Sequence, residues 1–229
     1  MTEEYLYIKL SGISASFRIP TLVSGAQLSL TAPSYSTILG MLSYATGKEV
    51  TINDTRIGFR YSYESKSMDL EKIHRWGRSN AGSYSYNKTN IRNREVHYFV
   101  TLELVLDNTE LFDSLDNPSR SITLGRSQDL ATIDTVRLVK GKTVEKGELW
   151  GTLLPIAIHE DIPASGVFFT LPEYFDYLYG KVRRPMNIRT FIALSQYSTE
   201  VEFDNLIALD DTEIQHSTFY IHSWLRKDK

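Results

Sequence analysis

The sequence predicts an α+β protein whose first 140 residues follow the β-α-β-β-α-β order of a ferredoxin-like domain. A basic insert separates the second and third strands, and a β-rich part follows the domain. Three observations lead to this prediction. Four stretches alternate apolar and polar residues, two others repeat apolar residues at helical spacing, and residues 72–94 contain six Lys or Arg and no acidic residue.

The four strands of this domain are predicted over residues 5–10, 55–68, 96–107 and 130–139. Each of them alternates in the manner of a strand that is buried on one face. In the third strand, the even-numbered residues from Val96 to Leu106 are expected to face inward and His97 to face outward.

Two helices connect these strands. In residues 33–47 the apolar side chains recur every three or four positions, Ser34 is suited to cap the start and Gly47 to cap the end. Gly40 lies in the middle, where it costs about 1 kcal/mol relative to Ala, and we expect close packing on the sheet to explain it. A second, short helix is predicted over residues 108–118.

The second half has weaker patterns. We expect a β-rich part, residues 141–229, that packs on the domain of residues 1–140. The sequence has no internal repeat beyond the pseudo-duplication of the ferredoxin-like order. Its predicted elements are a hairpin over residues 142–158 that turns at Lys146-Gly147, a short Tyr-rich helix over 172–180, and strands within 200–209 and 217–224.

Composition limits the possible functions. The chain has no Cys, so disulfides, thiolate metal sites and Cys nucleophiles are excluded, and a reducing cytoplasm is expected. No apolar run approaches the ~20 residues of a membrane span. The five His show no metal-ligand spacing, and no phosphate-binding glycine motif occurs. Neither a cofactor nor a membrane partner is therefore expected.

The insert predicts binding to a single nucleic-acid strand. Lys and Arg side chains neutralise phosphates, and exposed rings stack on unpaired bases. A partner has to account for this basic segment, because the chain as a whole carries a formal charge of −3. The alternative is a solvated loop without a role. The candidate contact residues are Lys72, His74, Arg75, Trp76, Arg78, Lys88, Arg92 and Arg94.

A second candidate is the turn in residues 117–129. Arg120 and Arg126 flank Gly125, and Ser127 follows directly. Backbone N–H groups of a glycine turn cradle a phosphate, while a guanidinium grips it with two hydrogen bonds. The alternative is an ordinary turn before a strand, with exposed arginines.

Two further features are less specific. The helix start at Ser34 and Ser36 offers N–H groups and hydroxyls to an anion, although simple capping explains it equally. The basic run KVRRP at residues 181–185 is either a phosphate or partner contact or solvated surface.

Catalysis without a metal needs a general acid, a general base and a cation. Tyr44, Lys72 and His74 are the residues that the sequence offers for these roles. A His in a basic loop is more often an RNA contact, so a binding role is favoured over an endoribonuclease.

Three segments together resemble the CRISPR-associated protein 5 family, a branch of the RAMP superfamily found in type I Cascade complexes. They are PSYSTILGMLSYATG, HRWGRSNAG through TNIRNREVHYFVTLELV, and LFDSLDNPSRSITLGRSQDLATI. The resemblance covers about residues 4–140. It implies a ferredoxin-like (RRM-like) domain with a β-hairpin thumb at about residues 70–95 and a variable β-rich C-terminal part.

The resemblance also implies a role. Such a subunit caps the 5′ handle of the CRISPR RNA (crRNA) and contacts the backbone subunit, CRISPR-associated protein 7, and the large subunit, CRISPR-associated protein 8, with target DNA nearby. Gly125, Arg126 and Ser127 would form the handle-binding turn, with Ser34 and Ser36 facing the handle. The length of the chain and the lack of an obvious catalytic trio favour a non-catalytic, type I-B-like member.

Two other hypotheses stay open. Type I-C relatives cleave precursor RNA with Tyr, Lys and His, and Tyr44 falls on the helix where such a Tyr would lie, but no adjacent Lys-His pair accompanies it. Outside nucleic acids, a ferredoxin-like scaffold would use the basic loop to bind an acidic protein.

Overall fold

A computed structural model of the chain describes residues 2–22, 25–156, 165–178, 182–214 and 217–225. It confirms an α+β fold that is dominated by strands. In chain order the elements are β1 (Thr2–Ala15), α1 (Tyr35–Thr46), β2 (Ile57–Arg78), β3 (Tyr84–Leu106), a 3-10 turn (Thr109–Leu111), α2 (Phe112–Asp116), β4 (Ile122–Thr123), β5 (Leu130–Leu149), β6 (Leu153–Pro155), β7 (Gly166–Leu178), β8 (Val182–Leu194), β9 (Thr199–Leu209) and β10 (Thr218–Tyr220).

The main sheet is antiparallel and has the strand order β10-β9-β5-β1-β3-β2, with β4 paired to β5. Alternation along β1 explains how the core forms. Leu6, Ile8 and Leu10 are buried in one apolar cluster with α1, whereas Tyr5 and Tyr7 enter a second cluster that includes residues of β9 and β10. Both faces of the sheet are therefore covered over part of their length.

The helix α1 begins and ends where the sequence predicts. The Ser34 hydroxyl accepts a hydrogen bond from the Thr37 N–H at 3.3 Å, and Gly47, with a φ of 72°, donates its N–H to the Tyr44 carbonyl. The expected reason for Gly40 is wrong. Gly40 is exposed, and an added Cβ would meet no atom within 4 Å, so this glycine is not required for packing on the sheet.

A second sheet, with the order β6-β8-β7, packs beside α1. Tyr35 joins the two parts, because its buried hydroxyl donates a hydrogen bond to the Leu153 carbonyl at 2.8 Å and its ring contacts both Phe59 and Phe191. This contact places the β7–β8 hairpin next to the exposed face of α1.

The predicted turn at Lys146-Gly147 is wrong. Strand β5 continues through these residues because it pairs with β1 along its first part and with β9 along its second part. The register of the pairing between β5 and β9 shifts at a bulge between Val144 and Lys146. An added Cβ on Gly147 would lie 2.5 Å from Thr218 Cγ2, so this glycine permits a close approach of β10. Residues 157–158 of this predicted hairpin lie outside the described residues.

The predicted helix over residues 172–180 is also wrong. Described residues of this stretch belong to β7, which pairs with β8 from Gly166 to Leu178. Pro172 is tolerated because β7 is the edge strand of its sheet and has one neighbour. Residues 179–180 lie outside the described residues, whereas the predicted strands within 200–209 and 217–224 are present as β9 and β10.

His97 faces inward, contrary to its prediction. Its side chain is fully buried, its ring stacks on Tyr63 with centroids 3.9 Å apart, and its Nδ1 lies 3.0 Å from the Tyr61 hydroxyl. Phe99, two residues on, has a φ of 53° and is 59% exposed, so strict alternation does not hold across this part of β3.

Candidate nucleic-acid interface

The basic insert forms the outer part of the β2–β3 hairpin. The projecting part of this hairpin comprises residues 67–96, slightly more than the predicted 70–95, and we call these residues the thumb from here on. Pairing between β1 and β3 ends at Ala15 and His97, so β1 does not accompany the hairpin beyond this point. Pairing of β2 with β3 continues to Arg78 and Tyr84, and residues 79–83 close the turn. The thumb is thus a continuation of two strands of the main sheet.

One face of the thumb carries exposed apolar and aromatic side chains, and we call it the aromatic face. Trp76 is 63% exposed and lies edge-on to Tyr86, with ring centroids 5.9 Å apart. His74 lies beside Tyr86, and its Nδ1 is 3.2 Å from the Thr89 hydroxyl, which also contacts the Tyr86 hydroxyl. A bulge between Arg75 and Trp76 places Tyr86 opposite Trp76. Rings held in this way are suited to stack on unpaired bases.

The opposite face is charged. Arg75 and Lys88 are exposed and lie directly across from each other on paired strands. Like charges in this position destabilise a hairpin. A bound polyanion would remove that repulsion. At the tip, the guanidinium of Arg78 lies 5.9 Å from the Tyr84 ring centroid.

Two of the predicted thumb contacts already have partners at the base of the hairpin. Arg94 donates two hydrogen bonds to Glu71, at 3.0 and 2.7 Å. Arg92 donates one to the Gln27 side chain at 3.0 Å, and the Gln27 backbone bonds to β3. The Arg94–Glu71 pair therefore links the two strands of the thumb, whereas Arg92 links the thumb to Gln27 outside it. The contact of both arginines with RNA stays a prediction.

The turn around Gly125 has a structural explanation. Gly125 has a φ of 109°, and an added Cβ would lie 2.1 Å from the Ser16 carbonyl oxygen, so no other residue fits. Arg126 donates hydrogen bonds from Nε and Nη2 to Asp129, at 2.9 and 2.8 Å, and these bonds raise the pKa of Arg126 above its ordinary value. The Arg126 side chain is mostly buried, whereas Ser127 is exposed.

Three of the predicted handle residues converge on the exposed face of α1. Ser36 and Arg120 line a groove of about 820 Å³, and Gly125 lines an adjoining depression of about 170 Å³. Gly40 and Tyr44, on α1, line both. Ser34 does not join them, because it is buried and its hydroxyl caps the helix.

Arg120 places a positive charge beside α1 in this groove. Its guanidinium lies 5.0 Å from the centroid of the Tyr44 ring, in a cation–π arrangement. Both side chains are exposed. A guanidinium that rests on a ring is oriented in advance and can give its N–H donors to a phosphate.

The residues considered for catalysis lie on different elements. Lys72 and His74 belong to the thumb, and Tyr44 belongs to α1. Across the ranges that the structure describes, no group of three His, Asp or Glu side chains is arranged to hold a metal ion. Nor does any helix within those ranges have the length and apolarity needed to cross a membrane.

Sequence reasoning missed the part of the groove that β7 and β8 supply. Tyr174 and Phe175 on β7 and Arg183 on β8 line the groove together with residues of α1. The basic run at residues 181–185 was a signal for Arg183. The aromatic residues could not be placed because residues 172–180 were predicted to be helical.

Comparisons with known proteins identify the fold. No protein-family model and no curated protein matches the sequence. Among solved structures, a chain of a "CRISPR RNA-guided surveillance complex" is similar, with a TM-score of 0.53 and 16% identity over 86% of this chain and 90% of that one. This likeness shows a shared fold.

Two more solved structures are similar at lower scores. A chain of the Type III-B Cmr-beta complex bound to cognate target RNA has a TM-score of 0.47 and 15% identity, over 87% of this chain and 86% of that one. A CRISPR protein from Archaeoglobus fulgidus has a TM-score of 0.46 and 12% identity, over 94% of this chain and 98% of that one.

Proposed function

We propose that the chain is a non-catalytic RNA-binding subunit of a type I CRISPR Cascade complex, of the CRISPR-associated protein 5 type and most similar to type I-B members. It caps the 5′ handle of the crRNA in the cytoplasm. Its protein partners are the backbone subunit, CRISPR-associated protein 7, and the large subunit, CRISPR-associated protein 8, with target DNA nearby in the complex.

The groove over α1 is the observation that carries this proposal. Ser36 lies on α1, and Arg120 and Gly125 lie in the distant turn of residues 117–129, yet all three border the surface of α1 at Gly40 and Tyr44. A bare helix backbone, an exposed ring and a guanidinium are complementary to a nucleotide, since they offer room, stacking and phosphate binding. The handle lies in this groove.

The thumb supports the same function. Its exposed aromatic face and the facing pair Arg75 and Lys88 combine base stacking with phosphate neutralisation. The thumb lies over the part of the guide that adjoins the handle.

The topology is compatible with this family. Strands β5-β1-β3-β2 are ordered as in a ferredoxin-like sheet, with α1 between β1 and β2 and α2 between β3 and β5. The solved chain with the TM-score of 0.53 belongs to a CRISPR RNA-guided surveillance complex. Both facts favour a subunit of such a complex over an unrelated scaffold that binds an acidic protein.

The test is a binding measurement with the repeat-derived 5′ handle RNA and a scrambled RNA of equal length. We expect the protein to prefer the handle, and Arg120→Ala to weaken binding roughly tenfold, as expected for one lost charge-assisted contact. Lys142→Ala, an exposed β5 change outside the groove, is the matched control and should alter binding less than about twofold. Equal affinity for both RNAs, or equal effects of the two variants, would contradict the proposal.

A cleavage assay with the same protein distinguishes a binding subunit from an endoribonuclease. Precursor repeat RNA incubated with the protein in EDTA should stay intact if the chain only binds. A single specific cut that is lost in His74→Ala or Tyr44→Phe would instead establish a metal-independent endoribonuclease.

A further inference from the structure

The groove over α1 has a second wall that comes from the β-rich second half. Tyr174, Phe175 and Asp176 at the end of β7, with Arg183 at the start of β8, line the same groove as Arg120. The proposed function assigns handle binding to Ser36, Arg120 and Gly125, and it gives no role to the residues of β7 and β8. Tyr35 and its buried contacts fix this hairpin beside α1, so the second wall is part of the folded protein.

Each of the two walls contains an arginine in a cation–π contact with an aromatic ring. On the α1 side, the Arg120 guanidinium lies 5.0 Å from the Tyr44 ring centroid, and on the β7–β8 side, the Arg183 guanidinium lies 4.3 Å from the Phe175 ring centroid. Arg183 reaches Phe175 diagonally, because the residue directly opposite Phe175 is Pro185. Each arginine is thus oriented by a ring on its own wall.

Neither guanidinium is neutralised by a carboxylate within the described ranges, since no ion pair involves Arg120 or Arg183. Lys48 adds a third cation to the lining, whereas Glu49 and Asp176 contribute two acids. Exposed cations that are oriented but unpaired are a common feature of phosphate sites, because a guanidinium matches a phosphate with two parallel hydrogen bonds.

The floor of the groove leaves room for a base. Gly40 is exposed, and no atom lies within 4 Å of the position that a Cβ would take. The volume of about 820 Å³ lies within the range of roughly 300–1,000 Å³ that is typical of small-molecule sites. The volume of the groove is therefore sufficient for a nucleotide beside the two arginine–aromatic pairs.

We infer that the β7–β8 hairpin is a second RNA-binding element, and that a single-stranded segment of the bound RNA passes through the groove with phosphates contacted by Arg120 and by Arg183. This inference rests on the proposed function and extends it to residues of the second half. Phe175 acts by orienting Arg183 and by offering ring surface to a base.

The test uses the full chain and fluorescently labelled 5′ handle RNA at several salt concentrations. Arg183→Ala should weaken binding about tenfold and reduce the salt slope by about 0.7, the value for one phosphate contact on a single strand. Arg183→Lys keeps the charge but loses the planar fork, so its affinity should lie between those of Arg183→Ala and the unchanged protein. Thermal melting checks that each variant is folded.

Arg184→Ala is the matched control, because Arg184 is the exposed neighbour on β8 and does not line the groove. It should change affinity less than about twofold. If Arg183→Ala and Arg184→Ala behave alike while Arg120→Ala still loses handle binding, the second wall is excluded and the proposed function stands. If the unchanged protein does not distinguish handle from scrambled RNA, the proposed function itself fails.

A free nucleotide is the competing occupant. Adenosine monophosphate at millimolar concentration should not displace the RNA if a strand segment fills the groove, because the strand is held by additional contacts outside it. Displacement that is abolished by Arg183→Ala would overturn the RNA assignment in favour of a mononucleotide site.

Discussion

Arg126 is bound to Asp129 through two hydrogen bonds of 2.9 and 2.8 Å from its guanidinium and a third of 3.1 Å from its backbone N–H. The Asp129 carboxylate is fully buried and also accepts a hydrogen bond from Ser14 at 2.6 Å. The turn that contains Gly125 is therefore held in place by an ion pair, and this ion pair occupies the arginine that the sequence motif offers to RNA.

Arg126→Ala should lower the free energy of unfolding by about 3 kcal/mol, because it leaves a buried carboxylate without its cation. Arg120→Ala should change that free energy by less than about 0.5 kcal/mol, since Arg120 is exposed. Urea denaturation of both variants measures this difference. An Arg126→Ala protein with unchanged stability but lost RNA binding would show that Arg126 is a direct contact after all.

Gly40 should separate stability from binding. Gly40→Ala is expected to stabilise the protein by up to about 1 kcal/mol, because Ala favours a helix and its Cβ meets no atom within 4 Å. Gly40→Leu should fold equally well but weaken handle binding at least tenfold, because its side chain would enter the groove. Thermal melting and RNA titration test the two expectations. Normal RNA binding by Gly40→Leu would show that the groove over α1 is not occupied.

His97 should make the protein sensitive to mild acid. Burial lowers the pKa of His97 from 6.5 to about 4. Between these values the unfolded chain binds a proton that the folded protein does not, so stability is full above pH 6.5 and falls as the pH drops towards 4. The shift corresponds to a loss of about 3 kcal/mol.

Urea denaturation at pH 7.5, 6 and 5 measures this loss, with His97→Gln as the comparison. The variant should be less stable than the unchanged protein at pH 7.5 but should lose less stability on acidification. Burial also lowers the pKa of His222, so some dependence on pH should persist. Identical slopes for both proteins would show that His97 does not contribute.

Trp76 should report on the aromatic face of the thumb. Trp76 is 63% exposed, whereas Trp150 is half-buried and Trp224 is 8% exposed, so RNA that stacks on Trp76 should quench the fluorescence of the most exposed of the three Trp. Trp76→Leu should abolish that quenching and weaken binding by about 1–3 kcal/mol, the usual value of one stacked base. Leu70→Ala changes the same face without removing a ring and is the control. Unaltered fluorescence on RNA binding would exclude stacking on Trp76.

Local patterns in the sequence were sufficient for several elements. The capped helix α1, the short helix before Pro118 and the first four long strands follow from spacing and from capping chemistry, which depend on neighbouring residues alone. The hairpin was predictable for the same reason, since the insert lies between two alternating stretches. The sequence also identifies Trp76, Arg75 and Lys88 as candidate contact residues. It does not show that Trp76 lies on one face of the thumb and the two cations on the other.

The failures have a common physical cause. The stretch at Lys146-Gly147 looks like a turn by composition, but two neighbouring strands supply hydrogen-bond partners to β5 and keep it extended. Within the helix predicted over residues 172–180, the described residues 172–178 have no strong intrinsic preference, and pairing with β8 decides their conformation. His97 is buried because the chain departs from ideal alternation near Phe99, which a period-two pattern does not anticipate.

The sequence by itself determined that a basic, aromatic hairpin would project from an α+β domain and that a glycine–arginine turn would follow the second helix. Only the tertiary structure decided which cations remain available. Arg126 forms an ion pair with the buried Asp129, and Arg94 forms one with Glu71. Arg120 and Arg183 instead contact aromatic rings, and both line one groove. Composition counts charges, but the packing of distant segments determines whether a charge is neutralised within the protein or presented to a ligand.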